Sequence, residues 1–312
     1  MRYLLTALVA AITTGLAVPA MSDNYPDKAI EIVVPAKAGG GSDITVRTIQ
    51  PFLEKALGVD VVVLNVPGAG SVAGSRRVVD EDPDGYSVLV NHTTLLTAIA
   101  LGKADFGLDD LALAAKGVSI PLVIVVPGDS PYSDIASIAK ASTESKIIAG
   151  VNLGALNHFT MLLVESKVEA SNFRYVQTGG GAKTTAALLG GHIDVGVLGA
   201  SEALKLVESG DAKVIAAVGA ERIDYMPDVP TAIEQGINAS LSIDFSWYMP
   251  KGTPSERQEV FSKALSAALS DPEVINALEK RGISPSYTDG PDALSSVKAS
   301  FVEIEAIAAT LK

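Results

Sequence analysis

The pattern of apolar and polar positions after residue 25 repeats a short apolar run, a turn and a helix-forming segment. The first apolar runs are Ile30–Val34, Val59–Leu64 and Ser87–Val90. One helix is predicted to reach about Leu57, and another to run from about Ala73 to Asp80. Apolar runs of this length, bounded by Gly, Pro and Asp, predict strands. Their alternation with helices predicts βα units on a largely parallel sheet, which binds ligands beyond the carboxyl ends of its strands.

A second series of βα units follows a run that leaves the first. That run, Leu122–Val126, ends at Pro127-Gly128 and predicts a connecting strand. The later predicted strands are Lys146–Ala149, Phe173–Val176, Ile193–Leu198, Val214–Val218 and Phe245–Met249. Two α/β series with two candidate crossing strands predict two lobes joined by a hinge.

The last part of the chain is predicted to be helical. A short helix is expected from Asp228-Val229-Pro230-Thr231. Thr253-Pro254-Ser255-Glu256 has the order of a capping box, with Thr as the cap and Pro at the first helical position. Further helices are expected from Ser270-Asp271-Pro272-Glu273 and over about Asp292–Leu311.

The N-terminal segment is typical of a secretory signal peptide. Met1-Arg2 is a short basic start, Leu4–Ala17 is mostly apolar, and Val18-Pro19-Ala20 ends on a small residue. The alternative is a buried N-terminal helix. We interpret residues 1–20 as a cleaved signal peptide, and we expect a periplasmic protein.

The composition of the chain argues against several classes of function. The 312 residues contain no cysteine, which excludes disulfides and thiolate chemistry. The formal net charge of −12 disfavours binding to nucleic acid or to anionic lipid. It also means that an anionic ligand has to be held by local donors.

The turn Ala38-Gly39-Gly40-Gly41-Ser42-Asp43 is the strongest local feature. Its glycines allow close approach of bare N–H groups, and Ser42 or Asp43 can cap the following helix. A helix N-terminus favours a carboxylate, sulfonate or phosphate. The alternative is an ordinary tight turn, with Lys37 pointing into water. If the turn holds an anion, a side chain at Gly40 should block the ligand or distort a backbone of positive φ.

Other candidate motifs lack the spacing or the residues that their functions require. Gly68-Ala69-Gly70 with Gly74 has its third glycine one residue late for a dinucleotide fingerprint. Gly179-Gly180-Gly181-Ala182-Lys183 has Ala where a phosphate loop needs Gly. His92, His158 and His192 form no metal-binding pair, and no serine stands in a G-x-S-x-G elbow. We therefore expect no catalytic site, no metal and no cofactor.

Several segments together resemble the solute-binding receptors of tripartite tricarboxylate transporters, the Bug family. The matching segments in the first half are Tyr25-Pro26, Val33-Val34-Pro35 with Gly39-Gly40 and Asp43, Leu57-Gly58, Asn65 with Pro67-Gly68-Ala69-Gly70, and Pro83-Asp84-Gly85-Tyr86. Those in the second half are Gly154 with His158, Gly180-Gly181, Gly190-Gly191-His192-Ile193-Asp194, Pro227-Asp228-Val229-Pro230-Thr231, Trp247 and Gly252-Thr253-Pro254. Their order and spacing cover essentially the whole chain after residue 24.

The resemblance implies a type II periplasmic binding fold, a Venus flytrap of two α/β lobes joined by a two-strand hinge. Lobe 1 is expected to comprise residues 23–122 and 248–312, and lobe 2 residues 123–247. The implied partners are a small organic anion of the carboxylate type and a membrane permease of this transporter type. The chain is expected to act as a monomer.

The resemblance also assigns ligand-binding positions, carried over one by one. In lobe 1 they are Lys37, Ala38, Gly39, Gly40, Gly41, Ser42, His92, Thr93 and Thr94. In lobe 2 they are Asn152, Gly154, Ala155, His158, Thr178, Gly179, Gly180 and Asp194.

This chain departs from the family pattern at several of these positions. It has Ala36-Lys37-Ala38 where the family has an aromatic residue and prolines, and Thr178-Gly179 where Tyr-Lys is usual. Lys37 and Asn152 are donors that the pattern lacks. The ligand therefore stays open among dicarboxylates, tricarboxylates, aromatic acids and sulfonates. Two other functions also stay open, an exported hydrolase and a sensor-type binding module.

Overall fold

The computed structural model describes residues 24–169 and 171–311. The expected signal peptide, residues 1–20, lies outside the described residues. The strands are β1 Ile30–Val34, β2 Val61–Asn65, β3 Ser87–His92, β4 Leu111–Pro127, β5 Ile148–Val151, β6 Arg174–Gln177, β7 Val195–Gly199, β8 Ala212–Ala217, β9 Ser242–Pro250 and β10 Ser284–Asp289. The α-helices are α1 Gly41–Leu57, α2 Val72–Val79, α3 Thr94–Ala100, α4 Ile135–Glu144, α5 Leu156–Ser166, α6 Gly181–Leu189, α7 Ala200–Glu208, α8 Ser255–Leu269, α9 Pro272–Glu279 and α10 Gly290–Thr310.

The strands form one curled sheet in the order β2-β1-β3-β9-β4-β7-β5-β6. Strand β1 pairs in parallel with β2 and β3, and β5 pairs in parallel with β6 and β7. The first part of β4 pairs with β9 and β10, and its last part with β7 and β8. The molecule is therefore a two-lobed α/β protein in which β4 passes from one half of the sheet to the other.

Strand β4 is much longer than the sequence predicted. We expected only Leu122–Val126, but the strand begins at Leu111. Its register with β9 shifts twice, between Leu113 and Ala115 and again further along, so its apolar positions do not alternate regularly. The apolar run of β4 is interrupted by glycine at position 117. A side chain there would collide with the ring of Trp247, which lies 2.4 Å from the position of an added Cβ.

One short helix and one helix cap predicted from the sequence are wrong. Thr231 and Glu234 do bond reciprocally, backbone N–H to side-chain oxygen, but the chain turns away at Gly236 (φ +81°) after one turn. Thr253 does not cap α8, because its hydroxyl donates to the carbonyl of Pro250. By contrast, the helix after Asp271 is confirmed, and the Asp271 side chain accepts from the N–H of Glu273.

The helices cover both faces of the sheet. Phe245, Trp247 and Phe261 belong to the core on the face of α1, α8 and α9. The opposite face has a core that includes residues of both halves, and there α10 packs on α3 and α5. No helix in the described part of the chain combines the length and apolarity needed to cross a bilayer.

Candidate functional site

The carboxyl ends of the parallel strands point toward each other from the two halves of the sheet. The end of β3, His92, pairs with Phe245 of β9, which in turn pairs with Val118 of β4. The end of β7, Gly199, pairs with Leu122 of β4. These two levels on β4 are roughly 13 Å apart, at about 3.3 Å per residue. The turns after β1 and β3 therefore face those after β5, β6 and β7 across the segment where β4 changes lobes.

The β1–α1 turn is held closed by two of its own N–H groups. Gly40 N–H donates to the carbonyl of Lys37 over 3.1 Å, and Gly39 N–H donates to Asp43 Oδ2 over 2.8 Å. Gly39 has φ +76°, a conformation that favours glycine, whereas Gly40 is extended at φ −77°. The sequence-based expectation of positive φ at Gly40 is therefore wrong. An added Cβ there would instead lie 3.0 Å from the Lys37 carbonyl.

Asp43 anchors this turn from the first turn of α1. It is buried, and Oδ1 accepts from Arg47 Nε at 2.8 Å and from Asn65 Nδ2 at 3.0 Å. Asn65 also donates to the carbonyl of Ala36. Burial would raise the pKa of Asp43, but the hydrogen bonds from Gly39, Asn65 and Arg47 outweigh it and hold that pKa below its ordinary value. Asp43 thus fixes the turn instead of capping α1, whose N-cap is Gly40.

The N–H groups that are free to bind a ligand belong to the residues after Gly39 and Gly40, further along the chain than the sequence indicated. Gly39 and Gly40 use their N–H groups within the turn, while those of Gly41 and Ser42 open the first turn of α1 and have no intrahelical acceptor. Lys37, like Ala38, is exposed, and no ion pair of its ammonium is found among the described residues.

At the β3–α3 turn, the side chain of Thr93 links strands β3 and β9 where the chain passes between the lobes. Its hydroxyl donates to the carbonyl of Ser242 at 2.7 Å and accepts from the N–H of Asp244 at 3.1 Å. The Thr93 side chain is buried and ties the end of β3 to the start of β9. It is therefore engaged by protein groups on both sides.

His92 packs its ring on Phe245, with the ring centroids 5.4 Å apart. Its Nδ1 accepts weakly from the N–H of Thr94 at 3.3 Å. Desolvation by burial lowers the pKa of His92 to about 4, so the ring is neutral at physiological pH. A neutral imidazole here offers no charge to an anion.

The β5–α5 turn in lobe 2 is built much like the β1–α1 turn. Gly154 has φ +75°, and its N–H donates to His158 Nδ1 at 3.2 Å. The buried His158 ring stacks edge-on against Tyr175 at 5.0 Å. Desolvation lowers the pKa of His158, although nearby Glu165 opposes this. His158 thus fixes this turn by accepting a hydrogen bond from its left-handed glycine, as Asp43 does in lobe 1.

Asn152 is held by side chains on two neighbouring elements. Its N–H donates to Asn157 Oδ1 at 3.1 Å, and its Oδ1 accepts from Gln177 Nε2 at 2.8 Å. Ala155 is the N-cap of α5, and its N–H donates to the carbonyl of Asn152. The N–H groups of Leu156 and Asn157 open α5 and have no intrahelical acceptor.

The β6–α6 turn lies beside the β5–α5 turn. Thr178 N–H donates to the carbonyl of Val151 at 2.8 Å, and its hydroxyl lies 2.8 Å from that of Thr184. Gly179 has φ +112°, and Gly180 is the N-cap of α6.

Asp194 does not join these turns. It precedes β7, and its Oδ2 accepts from the N–H of Ile148 at 2.7 Å, at the amino end of β5. This is the opposite edge of the parallel strands from Gly199, so the expectation that Asp194 lines the site is not supported.

The sequence did not point to two charged residues that lie at the facing turns. Lys103, after α3, brings its Nζ to 3.3 Å from the position of an added Cβ on Gly154. Glu202, in α7, places its carboxylate against Gly181 at the start of α6. Neither stands in a motif, so only the tertiary fold brings them there.

The β2–α2 turn is also unusual. Gly68, Ala69, Gly70 and Ser71 all have positive φ, which is costly for the two that carry a side chain. Ser71 Oγ accepts from the buried amide of Asn91.

No group of three His, Cys, Asp or Glu residues suited to a metal is found among the described residues.

Two α/β lobes with facing turns define a solute-binding protein of the periplasmic type. The sequence model of the tripartite tricarboxylate transporter family receptor, TctC, matches residues 45–307. The chain belongs to this family, which consists of periplasmic substrate-binding receptors and not of enzymes. The resemblance seen in the sequence is confirmed, and the alternative of a hydrolase is not favoured.

Individual relatives agree over nearly the full length. A UPF0065 protein of Agrobacterium vitis is 30% identical over 294 residues, covering 92% of this chain and 84% of its own. A TctC solute-binding protein from Polaromonas superposes with a TM-score of 0.84 at 27% identity, covering 91% of this chain and 98% of its own. MatC from Rhodopseudomonas palustris, with bound malate, has a TM-score of 0.72 at 25% identity, covering 91% and 100%.

Proposed function

We propose that this receptor captures a small organic carboxylate between its lobes and delivers it to a tripartite tricarboxylate-type permease. One observation carries the proposal. The first turns of α1 and α5 present N–H groups without an intrahelical acceptor, on turns where Gly39, Gly40, Gly154 and Ala155 already donate theirs to other protein groups. Such paired donors at two helix N-termini favour a small anionic group, and a carboxylate is one of these groups. The malate bound by MatC is consistent with this chemistry.

In this proposal the residues of the site have two roles. The N–H groups of Gly41 and Ser42 in lobe 1, and of Leu156 and Asn157 in lobe 2, contact the carboxylate. The remaining expected positions hold or line the turns: Lys37, Ala38, Gly39, Gly40, His92, Thr93, Thr94, Asn152, Gly154, Ala155, His158, Thr178, Gly179 and Gly180. Asp194 has no part in the site.

We also propose how the chain is divided into lobes and where it acts. Residues 1–20 direct export and are removed. Residues 23–122 and 248–312 form lobe 1, residues 123–247 form lobe 2, and the mature chain acts as a monomer. The long β4 and the Thr93–Ser242 contact support a hinge between these lobes.

A thermal-shift screen of purified mature protein against mono-, di- and tricarboxylates, aromatic acids and sulfonates tests the proposal. Ligands that bind the native state raise Tm by mass action. We expect at least one carboxylate to raise Tm in a concentration-dependent way, with binding unchanged after dialysis against a chelator. A response to sulfonates alone, or none to any carboxylate, contradicts the proposal.

A further inference from the structure

Helices α6 and α7 begin at the carboxyl ends of β6 and β7, beside the β5–α5 turn. The start of α6 is similar to that of α1, with an extended glycine, Gly180, at the N-cap, where α5 has the extended Ala155. On this basis alone α6 would attract a second anionic group of the ligand.

The protein's own carboxylate already occupies that position. Glu202 is the third residue of α7, and its Oε2 lies 2.1 Å from where a Cβ on Gly181 would stand. Its Cδ lies 2.7 Å from the same point. With glycine at 181 the carboxylate lies directly against the first residue of α6, and the backbone of Gly199 hydrogen-bonds it. Glu202 therefore lies between the N-termini of α6 and α7.

No cation neutralises Glu202 within ion-pair distance in the part of the chain that the structure describes. Lys183 is near in sequence to Gly181, but its Cδ lies 2.9 Å from the Cβ position of Gly179, so its stem folds over that turn. Burial raises the pKa of Glu202, and the hydrogen bond from Gly199 only partly offsets this. Apart from the Gly199 N–H, no donor to this carboxylate is found among the described residues, and Glu202 as a residue is exposed to solvent.

We infer that Glu202 is a specificity-determining residue that rejects a second carboxylate and favours a ligand whose far end bears an ammonium or hydroxyl group. The inference rests on the proposed function, with the first carboxylate held at α1 and α5. A donor at the far end would satisfy Glu202, whereas a second carboxylate would meet a like charge at short range. The ligand class is therefore an amino or hydroxy monocarboxylate.

Matched pairs of probes test this directly. Malonate, succinate, glutarate and adipate are each compared by calorimetry with the ω-amino and ω-hydroxy acids of the same length. Benzene-1,4-dicarboxylate and 4-(aminomethyl)benzoate form an aromatic pair. The proteins are the wild type, Glu202→Gln and the control Glu208→Gln, which removes the same charge at the other end of α7. Glutamine keeps the size and an acceptor oxygen, and Tm without ligand reports on folding.

We expect the wild type to prefer the amino or hydroxy member of its best pair. Glu202→Gln should shift the ratio of the two dissociation constants toward the diacid by about tenfold or more, and Glu208→Gln should leave it within about twofold. A wild type that prefers the diacid, or a ratio unmoved by Glu202→Gln, overturns the inference while the carboxylate receptor stands. Binding of no probe counts against both.

Discussion

The backbone N–H of Gly39 donates to the carboxylate of Asp43, four residues later, over 2.8 Å. This bond closes the β1–α1 turn around a left-handed glycine, and the same carboxylate accepts from Arg47 and Asn65. One buried side chain thus accepts the N–H of Gly39, while the N–H of Gly40 donates to the carbonyl of Lys37.

Asp43→Asn should destabilise the protein by about 1–3 kcal/mol at pH 7, since charge-assisted bonds to a buried acceptor are lost. The pKa of Asp43 is lowered in the folded state. Its stabilising contribution is therefore present above the ordinary aspartate pKa of about 3.9, and is lost as the pH falls through the folded value. Urea unfolding at pH 7 and pH 3 measures this.

The exposed Asp109 is the control, and Asp109→Asn should change stability by less than about 0.5 kcal/mol. An Asp43→Asn deficit that is equally large at both pH values would contradict the role of the charge.

His92 predicts an acid-sensitive step in stability. The unfolded chain binds a proton near pH 6.5, whereas the folded ring does so only near pH 4. The unfolded state therefore binds more protons in this window, and stability falls as the pH drops from about 6.5 to about 4, by at most about 1.4 kcal/mol per pH unit from this group.

His92→Gln should flatten that slope, measured as unfolding free energy at half-unit pH steps. Part of the slope should persist, because the pKa of His158 is lowered as well. A variant with the full wild-type slope would show that His92 is not buried as a neutral ring.

How far the sequence predicted the fold depended on local patterning. Strands β1, β3 and β7 lie within a few residues of their predicted positions because β-branched runs end at clear turn signals. The first half of β4 was missed, since Gly117 and Pro121 look like breaks until Trp247 and the neighbouring strands are in place. The one-turn segment at Thr231 has a capping pattern but lacks the length of a helix.

The site was predictable only at the level of turns. Gly-rich segments after strands mark where a ligand binds, but not which N–H groups are free. That depends on Asp43 reaching back to Gly39, on His158 reaching Gly154, and on Glu202 reaching Gly181 from another helix. Asp194 was misplaced because its position relative to the strand ends could not be known from a motif.

Lys37→Gln should weaken carboxylate binding only modestly, by less than about 1 kcal/mol, because its side chain is exposed and salt screens its charge. Titrations at about 20 mM and 500 mM NaCl would show the loss at low salt only. A loss above about 1.5 kcal/mol that persists at high salt would instead show a direct contact between the Lys37 ammonium and the ligand.

Backbone N–H groups at the start of α1 are proposed to hold the carboxylate, and substitutions at Gly41 test this contact cleanly. Proline is tolerated at the first position of a helix, where its missing N–H has no intrahelical partner. Gly40, the preceding residue, is already extended (φ −77°, ψ 168°), as a residue before proline must be, and a Cβ at Gly41 meets nothing within 4 Å. Gly41→Pro therefore removes one N–H, and Gly41→Ala adds a Cβ while keeping it.

Calorimetric titration of both variants with the best carboxylate from the screen is the decisive measurement. We expect Gly41→Pro to lose about 1.5–3 kcal/mol of binding free energy, the value of a hydrogen bond to a charged group. Gly41→Ala should bind within about 0.5 kcal/mol of the wild type, and both should melt near its Tm. Wild-type affinity in a folded Gly41→Pro variant would contradict the claim that this turn holds the ligand.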